Sequence, residues 1–170
     1  MVLNLGTAIV AILQLVIAIV LAVVALYIGF SVLGKITKAI DEEKEIAKGN
    51  IAIGILVASV FIAIGIVVQS GVTGISVGIS QAMKADGGLL SASGIGIIVM
   101  SILQLILGIV LAIAAIYLAL NILDKLTKGI DEFAELKKGN VAVALEMAGV
   151  IITTAVIIQS GVSGITAALL

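Results

Sequence analysis

Four long apolar runs alternate with short charged stretches along the chain. No charged side chain occurs from Met1 to Gly34, from Ile51 to Met83 or from Gly87 to Leu123, and the run from Val141 to Leu170 is interrupted only by Glu146. Each run exceeds the roughly 20 residues that a helix needs to cross a hydrocarbon core of about 30 Å. The pattern predicts four membrane-spanning helices, at about 6–34, 50–80, 94–124 and 140–169. The windows between the first and second and between the third and fourth, KITKAIDEEKEIAKGN (35–50) and KLTKGIDEFAELKKGN (125–140), hold eight of the nine lysines and seven of the ten acids.

Inside these windows the apolar residues keep a helical spacing, with Leu33, Ile36 and Ile40 in the first and Leu126, Ile130 and Phe133 in the second. That spacing predicts an amphipathic continuation of the spanning helix, supported by Lys38 with Glu42 and Lys128 with Glu132, pairs four residues apart. Each window ends in Gly-Asn. Gly49 and Gly139 are placed to close one helix in a left-handed conformation, and Asn50 and Asn140 to cap the next.

A shift of 90 residues lays the chain on itself without gaps from position 9 to 80. Ile12-Leu-Gln-Leu15 meets Ile102-Leu-Gln-Leu105, Tyr27 meets Tyr117, Lys48-Gly-Asn50 meets Lys138-Gly-Asn140, and Gln69-Ser-Gly-Val72 meets Gln159-Ser-Gly-Val162. The chain is an internal duplication, read here as one repeat over 1–86 and a second over 87–170. Each copy holds two helices, an even number, so the copies run parallel in the membrane. The expected fold is therefore all-α: a polytopic bundle of two tandem helical hairpins with pseudo-twofold symmetry about the membrane normal.

Composition sharpens the class. Hydrophobic residues make up 62% of the chain and charged residues 11%, with mean hydropathy +1.42 and no proline, far from a soluble domain's roughly half apolar content. Cysteine, histidine, tryptophan and arginine are absent. Without the first two there is no disulfide, no thiolate nucleophile and no usual metal ligand or general base, so neither an enzyme nor a cofactor is expected. A net charge of -1 without arginine argues against nucleic acid as a partner. Short lysine-rich loops stay in the cytoplasm, which puts the charged hairpins inside and both termini outside. Tyr27 and Tyr117 then fall where aromatic rings anchor at the inner interface.

Few polar residues interrupt the apolar runs. Gln14 stands 20 residues before Gly34 and Gln69 stands 19 after Asn50, so both lie about 30 Å from the hairpin at 1.5 Å per residue. Gln104 and Gln159 repeat them, giving four amides at one depth. They are read as interhelical hydrogen-bonding glue, or as a polar ring along a pore. Gly54, Ala58, Gly65, Gly71, Gly74, Gly161 and Gly164 are candidates for close helix packing, or for local unwinding around a substrate. Glu146 breaks the repeat, since its counterpart is Leu56. Six residues past Asn140, it lies about 9 Å into its helix. An intramembrane acid is a candidate proton or cation site, with Asn121 at comparable depth as its candidate partner; the alternatives at this depth are pairing with a lysine at the inner interface and a shallow acid that reaches the headgroups.

The segments E-I-A-K-G-N-I-A and E-L-K-K-G-N-V-A, each followed by a small-residue-rich helix ending in Q-S-G, resemble the domain-of-unknown-function family 350. That resemblance implies a prokaryotic inner-membrane protein of tandem two-helix units and carries over no activity and no catalytic residues. The plan of a duplicated hairpin with one retained acid is also similar to vacuolar-type ATPase proteolipids. Those have closely spaced glycines on their inner helices, whereas Thr7 to Phe30 contains only Gly29. The leading expectation is a non-enzymatic, self-associating structural component of the plasma membrane. Its expected partners are lipids, further copies of itself and a cytosolic protein at the charged hairpins. The alternative is a channel, transporter or ion-carrying ring built on Glu146 and the glutamines.

Overall fold

The computed structural model describes residues 5–37, 40–127 and 129–169. Four of its helices are long and apolar enough to span a membrane: α1 (Leu5–Ile36), α3 (Ile51–Lys84), α4 (Ala92–Leu126) and α6 (Val141–Leu169). Two short helices, α2 (Glu42–Ala47) and α5 (Glu132–Lys137), lie in the charged windows. The described residues contain no strand.

The charged windows do not continue the spanning helices as their spacing predicts. The helix breaks after Ile36 and after Leu126, because Asp41 and Asp131 start new helices by accepting from the backbone N–H of Lys44 (3.1 Å) and Ala134 (2.9 Å). A short side-chain acceptor at this position satisfies a donor that would otherwise be orphaned. Lys38 and Lys128 lie outside the described residues, and with them the two expected pairs. The ion pairs that are described run three residues apart: Lys44–Asp41 (2.6 Å), Lys48–Glu45 (2.6 Å) and Lys138–Glu135 (2.7 Å).

Each short helix ends the same way. Gly49 and Gly139 both adopt φ of 82°, and the following Asn50 and Asn140 donate their backbone N–H to Glu45 and Glu135, 3.0 Å in each case. This six-to-one closure requires a left-handed residue, which glycine supplies without strain. The asparagine side chains then cap α3 and α6, accepting from Ile53 (3.2 Å) and Ala142 (3.1 Å).

Helix α3 is the centre of the molecule and packs against α6, α4 and α1. The main core joins Ile53, Leu56, Val60 and Val67 of α3 to Ile116 and Leu120 of α4 and to Met147 and Ile151 of α6. Leu136 of α5 seals its hairpin end. Helix α1 docks on α3 through Ala25, Gly29 and Leu33, where a Cβ on Gly29 would overlap Ile64. Most of the rest of α1 is exposed, Ile12, Leu15, Ile19 and Val23 among its side chains.

The two hairpins are not related by a twofold axis. Ser70 on α3 bonds Ser163 on α6 (2.9 Å), and a twofold would pair their repeat counterparts, Ser160 and Thr73. Both are exposed and each bonds a carbonyl of its own helix. Likewise α4 lies along α3, while no comparable contact joins α1 to α6 among the described residues. One face of the first repeat meets a different face of the second, which is a heterologous, head-to-tail arrangement.

Candidate functional site

That arrangement leaves one face of α6 uncovered. Ala142, Glu146, Gly149, Thr153, Ser160, Gly161 and Gly164 are all exposed, and their three- and four-residue spacing puts them on one side of the helix. A Cβ added to Gly149, Gly161 or Gly164 would meet nothing within 4 Å. The copies of these positions on α3 are Ala52, Leu56, Ser59, Ala63, Ser70, Gly71 and Gly74, and every one is buried. The same stripe is therefore an interior surface in one repeat and an exterior surface in the other.

The buried copy shows what such a stripe accommodates. At Gly71 a Cβ would overlap the side chain of Leu105, and at Gly78 it would overlap Ser101, so α4 rests directly on the backbone of α3. Gly108 brings α4 close to α6 as well, with a Cβ there 3.0 Å from Val162. Gly54 and Gly65 are unlike these, because a Cβ at either would meet nothing within 4 Å. Ala58 is exposed.

The sequence-selected acid sits on the open stripe. Glu146 is exposed and borders a shallow groove with Gly149, Thr153 and Thr154. Asn121 donates to the carbonyl of Tyr117 on its own helix (2.7 Å). The glutamines share a depth but not an environment. Gln104 is buried and donates to the Val162 carbonyl (3.3 Å), Gln14 and Gln159 are half-buried, and Gln69 is exposed. The cleft between α1, α3 and α4, lined by Gly29, Leu33, Val60, Ile64, Ile116 and Leu120, is apolar and encloses only about 20 Å³. A space without polar partners does not hold water.

The hairpins carry a second arrangement that spacing did not reveal. The Thr37 hydroxyl contacts both the Leu33 carbonyl (2.9 Å) and the Glu42 carboxyl, and the Thr127 hydroxyl contacts both the Leu123 carbonyl (2.8 Å) and the Glu132 carboxyl. Glu132 is 1% exposed, and its second carboxyl oxygen has no hydrogen-bond partner among the described residues. Burial pushes the Glu132 carboxyl above the usual range, and the nearby Asp124 and Glu146 carboxylates add to the effect. A hydroxyl carries one proton, so Thr127 donates to the Leu123 carbonyl or to the Glu132 carboxyl, not to both at once. The acids paired with lysine behave oppositely. Lys44 holds Asp41 low, Lys48 and Asn50 hold Glu45 low, and Asn140 and Lys138 hold Glu135 low. The signal that identifies these pairs is T-x-x-x-x-E in both windows, a Thr that ends one helix and a Glu that begins the next.

The family model for Domain of Unknown Function (DUF350) matches residues 5–110 and 97–170, which together take in every described residue. The chain belongs to the DUF350 family. No curated protein and no solved structure matches it. Among the described residues of this DUF350 chain no cluster of acids is disposed to hold a metal ion. Its distinctive chemistry is the half-covered small-residue stripe and the two Thr–Glu pairs.

Proposed function

We propose that the protein is a non-enzymatic structural component of the prokaryotic plasma membrane that associates with further copies of itself. The observation that carries this reading is the open face of α6, where Glu146, Thr153 and Ser160 are exposed on a helix apolar enough to span the bilayer. Polar side chains at such depth are better accommodated against another helix than against lipid. The concentration of lysine in the hairpins supports a cytoplasmic position for α2 and α5, with both termini outside. Their exposed ion pairs offer a cytosolic protein a surface of mixed charge. Mass measurement of the protein released from membranes with its lipids retained is the test. A defined oligomer is the expected result, and monomer alone overturns the reading.

Ion conduction is the second reading, favoured by Glu146 sharing its stripe with Thr153 and Ser160. Proton or sodium flux into proteoliposomes that is lost in Glu146→Gln is its expected result. Absence of flux from the wild-type protein removes it.

A further inference from the structure

The boundary between the two repeats is a finished interface, and half of it recurs unused on each outer flank. Leu105 of α4 is 0% exposed where it covers Gly71, while its copy Leu15 is 60% exposed and Gly161, the copy of Gly71, meets nothing. Ser70 bonds Ser163, while their copies Ser160 and Thr73 are exposed. At the hairpin end Asn50 donates to the carbonyls of Leu136 (3.0 Å) and Lys137 (3.3 Å), and Leu136 is 0% exposed. Ile46, the copy of Leu136, is 43% exposed, and beside Asn140 lies an open groove of about 300 Å³. Three contacts along the length of one seam thus have three counterparts that make no such cross-repeat contact among the described residues, the donor half on the second repeat and the acceptor half on the first.

We infer that a second copy of this chain fills the vacancy, head to tail, with Leu15 of one copy seated over Gly161 of the next and Ile46 beside Asn140. The inference rests on the self-association reading and specifies its geometry. The directions agree, because α1 runs toward its charged hairpin and α6 runs away from one, as α4 and α3 do in the existing seam. The depths agree as well. Leu15 lies 21 residues before Ile36 and Gly161 lies 20 after Val141, each about 30 Å from the hairpin at 1.5 Å per residue. Covering the stripe takes Thr153 and Ser160 out of lipid contact, and Gly161 and Gly164 provide the space for close approach. A contact between unlike faces extends from copy to copy, closing into a ring or continuing as a filament.

The chain has no cysteine, so disulfide trapping needs no background removed. Two differently tagged chains, one with Leu15→Cys and one with Gly161→Cys, are co-expressed and oxidised in native membranes, alongside a second pair with Ile46→Cys and Asn140→Cys. The expected result is a mixed crosslink in both experiments, at least tenfold above either single variant expressed alone. Crosslinking of Leu15→Cys to itself, with an oligomer still present by mass, overturns the head-to-tail seam and leaves self-association standing. Monomer by mass and no crosslink in any combination overturns both.

Discussion

The side-chain amide of Asn50 donates to the backbone carbonyl of Leu136, 3.0 Å away, and so ties the hairpin of the first repeat to the short helix of the second. Asn140 occupies the same place in the second repeat, but its amide bonds only Glu135 of its own hairpin among the described residues. The two asparagines are thus alike as helix caps and unlike as ties. Asn50→Ala is expected to cost about 2 kcal/mol, about half from the lost cap and half from the lost cross-repeat bonds. Asn140→Ala is expected to cost about 1 kcal/mol, the cap alone. Denaturant unfolding of the monomer in detergent compares the two, and equal losses would show that the tie contributes nothing.

Gly71 and Gly161 give a similar contrast in the hydrophobic layer. Gly71→Ala forces Leu105 off the α3 backbone, and overpacking of this kind costs about 1–3 kcal/mol. Gly161→Ala adds a methyl group to open space on the single chain and is expected to leave the thermal midpoint of the monomer unchanged. A similar drop for both variants would place a neighbour over Gly161 within one chain.

Glu132 imposes a pH dependence of unusual sign. Its carboxyl is raised in the folded protein, so the native state binds a proton that the unfolded state releases at lower pH. That contribution favours folding at acidic pH and is lost as pH rises through the raised value. The window runs upward from the ordinary glutamate value of about 4.3. Glu132→Gln keeps a neutral side chain at every pH. Thermal midpoints from pH 4 to 8 are expected to converge between the two proteins at low pH, with the variant higher at neutral pH. A variant that is less stable throughout would mean that the carboxylate is ionised and satisfied.

Position 56 and its copy 146 should respond in opposite ways. Leu56 is 0% exposed, and an acid there would be buried without a partner, a loss of several kcal/mol. Glu146→Leu changes an exposed position and is expected to leave the monomer fold intact. Yield and thermal midpoint of the two variants check the difference.

Much of this architecture is legible in the sequence. Uninterrupted apolar runs give the spans, and the exact recurrence of Gln-Ser-Gly-Val and Lys-Gly-Asn gives the duplication. The break before α2 and α5 was present as a signal, since Asp41 and Asp131 each precede a Glu-rich turn. The helical spacing of Leu33, Ile36 and Ile40 runs across that signal and masks it. What the sequence cannot convey is which copy of a repeated side chain is covered. Gln104 and Gln14 share local sequence and depth, yet one is buried against α6 and the other is half-exposed on α1. Local pattern fixes the helix face and its depth, while the neighbour that meets the face depends on how whole hairpins dock.

The unequal treatment of Leu56 and Glu146 also fixes the order in which the two halves must be written. A gene with the halves exchanged would encode the same helices with the same lengths and polarity. It would carry the acid into the leading repeat, at the position where Leu56 is now buried. One residue therefore distinguishes two otherwise similar halves, setting an acid on an open face of the second where the first encloses a leucine.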